Sequence, residues 1–396
     1  MSDSHKERRR SGGRRAGDIP TTPDDRPPLV TCPHCDMGVP AGDFCGHCGA
    51  HLPTANVARH HAFAAVPSEP VVHLSIVTTL FPHLPHRQGG AFRWALIAGV
   101  GLVVVTAALR LFAPATAAAA ILLPALYLLY LYEVEVYEDE PWLVVGATMV
   151  AGAVLGYLFT VWTGGAVSHL NITGDRNGGF LLAGVVIPIV AQVLMLAGPM
   201  FLFLFRSRFR EPLDGLTFGA ASALGFTFTS TLVQFWPLIT GPLVGSDRPL
   251  DWALPLLRAS ILSPLVNAST TAVVTASIWL FRYDRNLARG SWQASRRATL
   301  GVAFGSQILL GVLSFLVPEG LTEVAVWALA SVSLLVFMRL VIHQSLMAEG
   351  AVHEIGPDAT CPECHRVVPT MLFCPSCGVA RTAATKSARA RVGGAG

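Results

Sequence analysis

Eight long apolar segments constrain the fold of this sequence more than any other feature. They cover residues 92–113, 114–133, 142–164, 179–205, 213–237, 252–281, 298–317 and 321–345. Each is longer than the roughly 17 residues that an α-helix needs to cross about 30 Å of bilayer hydrocarbon. The first two are separated by little more than Pro114, which predicts a tight hairpin. The sequence therefore predicts an all-α polytopic membrane protein with about eight transmembrane helices.

The composition excludes an ordinary cytosolic protein. Only 13% of the 396 residues are charged and 52% are hydrophobic, whereas soluble domains contain about 25% charged residues. Polar residues are concentrated at the two ends. We therefore expect a membrane core with small polar modules before and after it. The predicted regions are a disordered basic N-terminus (1–28), a first zinc ribbon (29–52), a linker and interfacial segment (53–91), the core (92–346), a second zinc ribbon (347–380) and a disordered tail (381–396).

The eight cysteines form two quartets with the same spacing. The first quartet is Cys32, Cys35, Cys45 and Cys48, and the second is Cys361, Cys364, Cys374 and Cys377. Every cysteine of the second set lies 329 positions after its counterpart in the first. Six neighbouring positions are also identical at this offset, including Phe44 with Phe373 and Gly49 with Gly378. The two ends therefore carry two copies of one module.

Paired Cys-x-x-Cys turns indicate a structural metal site in each module. Two thiolates separated by two residues can converge on one tetrahedral Zn²⁺, and four sulfur ligands leave no open coordination position. Such a zinc folds a segment of about 20 residues that has too little core to fold alone. Both modules resemble short zinc ribbons. The alternatives are disulfides or a redox pair, and the N-terminus, with no apolar signal segment, argues against an oxidising compartment.

The distribution of arginine predicts the orientation in the membrane. Counted with the N-terminus inside, the inner loops after the fourth and sixth segments contain eight arginines, and the outer connections contain only Arg110, Arg176 and Arg248. Positive residues accumulate on the cytoplasmic side. We therefore expect a bacterial inner-membrane protein in contact with the lipid bilayer, with both termini and both ribbons in the cytoplasm.

Four segments of the core resemble the PrsW family of intramembrane metalloproteases, over about residues 125–345. They are Tyr137-Glu-Asp-Glu-Pro-Trp142, Pro188-Ile-Val-Ala-Gln-Val-Leu-Met195, the run from Leu213-Asp-Gly to Gly225-Phe226, and Arg258 followed by Ser263-Pro-Leu-Val-Asn-Ala268. The resemblance implies a polytopic core in which polar residues on several helices hold a metal and cleave a membrane-embedded peptide.

The family's functional residues are missing at the matching positions. The resemblance implies a Glu-Glu pair where this chain has Ala191 and Gln192, a Lys at Met195, a Glu-Asn pair at Ser230 and Thr231, and a His at Asn267. We therefore assign no catalytic residue.

An argument from chemistry alone leads to the same expectation. Hydrolysis in a membrane needs a general base, or a metal held by carboxylates or imidazoles. The acidic and histidine side chains within the third to eighth helices all fall near predicted helix ends: Glu211, Asp214, Asp251, Glu319, Glu323 and His343. An enzyme is therefore not expected, and if the chain were active it would be an intramembrane metallopeptidase.

Uncharged polar residues remain inside the predicted helices, and they have two interpretations. They are Gln192, Thr227, Thr229, Ser230, Thr231, Gln234, Asn267, Thr270, Thr271 and Gln307. One interpretation is a polar cavity around Gln192, Ser230 and Asn267, joined by Arg258, that binds a transmembrane helix or a small ligand. The other is ordinary hydrogen bonding between helices. Arg258 could instead extend to the interface or pair with helix carbonyls.

Three functions remain open from the sequence. The first is a non-catalytic membrane scaffold or regulator whose zinc ribbons dock a cytoplasmic protein and whose core binds a transmembrane helix. The second is an active intramembrane metalloprotease that uses unrecognised ligands. The third is a membrane-tethered nucleic-acid-binding protein, which ranks last because residues 31–50 contain one aromatic residue, Phe44, and no Lys or Arg.

Overall fold

The computed structural model of the protein describes residues 28–33, 35, 37–52, 90–133, 142–173, 180–205, 209, 212–241, 249–283, 295–317, 320–349, 355–361 and 364–378. The chain forms two compact units. The first contains the two cysteine modules, and the second contains the helices. The predicted disordered ends, most of the 53–91 linker and most of the arginine-rich loops lie outside the described residues.

The second unit is entirely helical in its described part. Its helices are α1 (Gly90–Ala108), α2 (Phe112–Glu133), α3 (Trp142–Thr173), α4 (Ile187–Phe205), α5 (Pro212–Gln234), the short α6 (Trp236–Ile239), α7 (Pro249–Leu257), α8 (Ser263–Tyr283), α9 (Arg296–Leu316) and α10 (Leu321–Glu349). Seven helical stretches are long and apolar enough to cross a membrane, and α1 contributes a shorter apolar stretch, Trp94–Ala108. These helices confirm the predicted polytopic fold.

The first two predicted segments form a hairpin whose break differs from the predicted one. α1 ends at Ala108, and Arg110 adopts a left-handed backbone with φ of 58° before α2 begins at Phe112. Pro114 therefore lies in the first turn of α2, where a missing backbone N–H costs no helical hydrogen bond. α1 and α2 pack against each other. The sequence placed the break at Pro114, a few residues too late.

α5 is the central helix of the membrane unit. It packs against α2, α3, α4 and α8, and most of its residues are buried on all sides. Hydrogen bonds join it to three neighbours. The Tyr127 hydroxyl of α2 donates to the Thr217 carbonyl at 2.8 Å, Thr229 donates to the Ala153 carbonyl of α3 at 2.7 Å, and Ser222 donates to the Met195 carbonyl of α4 at 2.8 Å.

Small residues allow α3 and α5 to approach closely. A Cβ atom added at Gly152 or Gly156 would lie 2.1 or 2.2 Å from a backbone oxygen of α5, and one at Gly225 would lie 2.0 Å from the Met149 oxygen of α3. Helices in lipid associate through such backbone contacts because lipid tails are as apolar as their side chains. This packing positions the polar residues of α5.

Two π-helical turns interrupt the regular helices. One, Leu182–Val186, leads into α4, and the other, Arg258–Leu262, joins α7 to α8. π-helical turns are rare and are frequently found at functional sites. Both turns contribute residues to the same internal cavity, described below.

Each cysteine module is built on a two-stranded antiparallel hairpin. In the first, β1 (Leu29–Thr31) pairs with β2 (Gly38–Pro40), with Val30 opposite Val39. In the second, β3 (Asp358–Thr360) pairs with β4 (Val367–Pro369), with Ala359 opposite Val368. We call these modules the N-terminal ribbon and the C-terminal ribbon. Corresponding residues of the two registers differ by 329, as the sequence repeat requires.

Candidate functional site

The four cysteines of each ribbon come together in a geometry suited to a tetrahedral metal ion. Within each quartet the sulfur atoms all lie within 4.8 Å of one another. The shortest separations are 3.8 Å for Cys32–Cys48 and Cys35–Cys45, 3.7 Å for Cys361–Cys377 and 3.9 Å for Cys364–Cys374. A tetrahedron with metal–sulfur bonds of about 2.3 Å has edges of about 3.8 Å. Both clusters therefore fit zinc ribbons.

All eight cysteines are free thiols, so the disulfide alternative is wrong for this structure. The close sulfur atoms strongly perturb one another. Burial raises the pKa of the Cys35 thiol to about 12, whereas a hydrogen bond from Cys48 lowers the pKa of the Cys45 thiol to about 5. Four thiols at such distances cannot all lose their protons unless a cation offsets the negative charge of the resulting thiolates. A bound metal ion supplies that charge and keeps its thiol ligands deprotonated.

The two ribbons contact each other through matched hydrogen bonds. The Phe44 N–H of the N-terminal ribbon donates to the Pro375 carbonyl at 2.9 Å. The Phe373 N–H of the C-terminal ribbon donates to the Gly46 carbonyl at 2.8 Å. The two donors are equivalent positions of the repeat, and so are the two acceptors. The two ribbons are therefore related by a local pseudo-twofold axis.

The membrane unit contains a cavity of about 350 Å³ between its helices. Its polar lining consists of hydroxyl and amide side chains together with one charged group, Arg258. Phe159, Phe226 and Trp327 are among its apolar walls. The cavity is lined by Phe159, Ala183, Ile187, Pro188, Ala191, Phe226, Thr227, Ser230, Thr231, Gln234, Arg258, Ala259, Ser263, Asn267, Gln307, Gly311, Ser314, Phe315 and Trp327.

A buried network of amides and hydroxyls lies beside this cavity, and two of its members, Asn267 and Gln307, line it. Gln307 donates from Nε2 to Asn267 Oδ1 at 2.7 Å and to Gln192 Oε1 at 3.2 Å. Thr270 donates to the same Gln192 oxygen at 3.1 Å, and Gln192 donates from Nε2 to Thr271 at 3.2 Å. The network joins α4, α8 and α9. Each amide satisfies another, which removes the cost of burying polar groups away from water.

Comparison with known protein families identifies the family of this helical core. The model of the PrsW family, described as intramembrane metalloproteases, matches residues 140–342, just over half of the chain. The chain belongs to the PrsW family. No curated protein and no solved structure matches it. The matched region includes α3 to α9 and most of α10, and therefore the whole cavity.

The structure brings together the positions at which the PrsW resemblance expects functional residues. Ala191, Ser230, Thr231 and Asn267 all line the cavity. Gln192 lies behind them in the amide network, and the Met195 sulfur lies 4.0 Å from the Thr271 hydroxyl. These six positions come from three different helices, and the fold brings them together at and behind the wall of one cavity.

The residues at this place do not fit a catalytic metal. Catalytic metal sites in hydrolases use imidazole and carboxylate ligands. The described residues that line the cavity include neither group. The side-chain oxygens of Gln192 and Asn267 already accept hydrogen bonds from Gln307, and an amide carries no negative charge to offset that of a cation. We therefore derive no hydrolytic step at this site.

Arg258 forms an ion pair with a residue that the sequence did not identify as its partner. Its guanidinium donates to the Glu323 carboxylate of α10 and lies 6.0 Å from the centroid of the Trp327 ring. Trp327 in turn donates to Ser314 at 2.9 Å. A buried charge is tolerated when it is paired. The sequence missed Glu323 as the partner because 64 residues separate the two along the chain and no local spacing links them.

The amide network yields a test of its own. We expect Gln307→Leu to reduce the free energy of unfolding by about 1–3 kcal/mol, because it leaves the Asn267 and Gln192 oxygens without their shared donor. Gln234→Leu, at an exposed position on the same cavity, is expected to change it by less than about 0.5 kcal/mol. Unfolding in mixed detergent and SDS micelles measures both. Equal effects of the two substitutions would contradict the network.

Proposed function

We propose that the chain is a non-catalytic member of the PrsW family, an integral membrane scaffold or regulator. Its core binds a transmembrane helix that places one side chain in the cavity, and its ribbons dock a cytoplasmic protein. The observation that carries this proposal is the composition of the cavity. Four positions of the implied catalytic set line the cavity, and they bear Ala191, Ser230, Thr231 and Asn267 instead of the implied Glu, Glu, Asn and His.

The electrostatics of the cavity favour a neutral occupant. Glu323 offsets the charge of Arg258. An ionised ligand group would therefore find no free counter-charge in the cavity, and its loss of hydration would not be compensated. Several hydroxyls, including Ser230 and Thr231, donate to backbone carbonyls at 3.3 and 3.2 Å and keep lone pairs free to accept. A cavity of about 350 Å³ is at the small end of ligand sites. It suits an amide or hydroxyl side chain projecting from a transmembrane helix.

We propose zinc as the metal of both ribbons. The sulfur separations of 3.7 to 3.9 Å support a tetrahedral thiolate site. Four cysteine ligands complete that coordination, so the role of the metal is structural. The outer surfaces of the ribbons are then the parts available to a protein partner.

The contact between the ribbons supports a membrane topology with both termini on one side. Domains that pack against each other occupy the same compartment, so the helices between them must cross the membrane an even number of times. Seven candidate spans alone would separate the ribbons. α1, with 19 residues, is about 29 Å long and can supply the eighth crossing. The excess of arginine in the loops on the same side as the ribbons supports a cytoplasmic location for that side.

Protease-cleavable tags at the two ends test this topology. We expect both tags to be removed in sealed inverted inner-membrane vesicles and both to be protected in intact spheroplasts. Removal of the two tags from opposite sides would contradict an even number of crossings.

Binding of defined peptides tests the function of the core. Two synthetic single-span peptides that differ only in a central Asn or Leu are incorporated into liposomes with the protein, and binding is measured by energy transfer between fluorophores. We expect the Asn peptide to bind more tightly and to remain intact. Ser230→Leu should weaken its binding at least about fivefold, because the added side chain fills the cavity. Ser333→Leu, at an exposed position on α10, is the matched control.

The active-protease alternative gives a different result in the same assay. Cleavage of the peptide that is lost on Gln192→Ala or Asn267→Ala would contradict a non-catalytic core. Equal binding of the two peptides would contradict recognition by the polar cavity.

A further inference from the structure

The aromatic rings at the contact between the ribbons lie directly beside the metal-binding turns. Phe44 and Phe373 are buried, and each immediately precedes a cysteine ligand of its own ribbon. Each ring lies against the glycine that follows the last ligand of the other ribbon. A Cβ atom at Gly378 would be 2.7 Å from the Phe44 ring, and one at Gly49 would be 3.1 Å from the Phe373 ring.

Both glycines are required by backbone conformation as well as by space. Gly49 and Gly378 have φ of 71° and 73°, in the left-handed region that L side chains rarely adopt. Their N–H groups close the metal-binding turns by donating to the carbonyls of Cys45 and Cys374 at 2.9 and 2.8 Å. The turn that presents metal ligands in one ribbon is therefore also the surface that receives the phenylalanine of the other.

A ribbon of this size depends on its metal to fold. Without metal, its cysteine turn loses its fixed shape, and the phenylalanine of the other ribbon loses the surface that buries it. The N–H of that phenylalanine loses its acceptor in the same turn, which is Pro375 for Phe44 and Gly46 for Phe373. Metal binding at one ribbon thus stabilises the folded form of the other.

We propose that the two metal sites are thermodynamically coupled through this contact, so that occupancy of one ribbon raises the affinity of the other for metal. The proposal rests on the proposed metal sites and adds an interaction between them. Coupling of this kind is reciprocal, and each site must change the affinity of the other by the same factor. When metal is bound, the two ribbons then form one folded unit that joins the two ends of the chain.

Titration of the full-length protein in detergent micelles with Co²⁺, whose visible absorption reports tetrahedral thiolate coordination, tests the coupling. Wild type is expected to bind two ions cooperatively. Cys361→Ser/Cys364→Ser and Cys32→Ser/Cys35→Ser should each bind one ion, both at least about fivefold more weakly than wild type and by the same factor. Two ions that bind wild type independently, with the affinities of the single-ribbon variants, would overturn the coupling.

A pair of glycine substitutions tests the contact between the ribbons without changing the cysteine ligands. A Cβ atom at Gly42 would lie 2.6 Å from the Pro375 backbone oxygen of the other ribbon, whereas one at Gly38 meets no atom within 4 Å. We expect Gly42→Val to bind both ions as weakly as the single-ribbon variants and without cooperativity. Gly38→Val should behave as wild type. Cooperative binding in Gly42→Val would overturn the proposal.

The titration also distinguishes this proposal from the one on which it rests. A chain that binds no Co²⁺ would overturn both the proposed metal sites and their coupling. A chain that binds two ions independently would leave the metal sites in place and overturn the coupling alone.

Discussion

The membrane core depends on the cost of burying polar groups where no water can satisfy them. Gln192, Asn267 and Gln307 satisfy one another inside the helices, and Arg258 is paired with Glu323. α5 holds this arrangement in place because its glycines let α3 and α8 approach its backbone. At the positions where the PrsW resemblance implies ionisable groups, this interior carries neutral ones. The proposed function, binding without hydrolysis, rests on that difference.

The ribbons depend on a different feature, the convergence of four cysteine sulfur atoms in a geometry that fits one metal ion in each ribbon. Neither ribbon contains enough apolar residues to fold by burial alone. Their pseudo-twofold contact adds buried aromatic surface that neither would have alone, since Phe44 and Phe373 each cover a turn of the opposite ribbon. The proposed metal binding and the pairing of the ribbons would therefore stabilise the same structure. This arrangement joins the two ends of a chain whose middle lies in the membrane.

Much of the fold could be predicted from the sequence because its signals are local. The length of the apolar segments predicts the helices, and the repeated cysteine spacing predicts two modules. The break between α1 and α2 was misplaced because Pro114 is tolerated in a first helical turn. The Arg258–Glu323 pair and the pairing of the ribbons could not be predicted, because both join residues far apart in sequence. Phe44 and Phe373 were visible as repeated positions, but repetition alone does not show that two modules touch.

The metal content of the purified protein tests the central claim, that metal belongs to the ribbons and not to the core. Elemental analysis is made on the full-length chain and on a full-length variant with all eight cysteines changed to serine. We expect two zinc ions per wild-type chain and none in the variant, because the described lining of the core cavity offers no carboxylate or imidazole ligand. A metal ion that stays with the cysteine-free variant would contradict this expectation and would indicate a metal site in the membrane core.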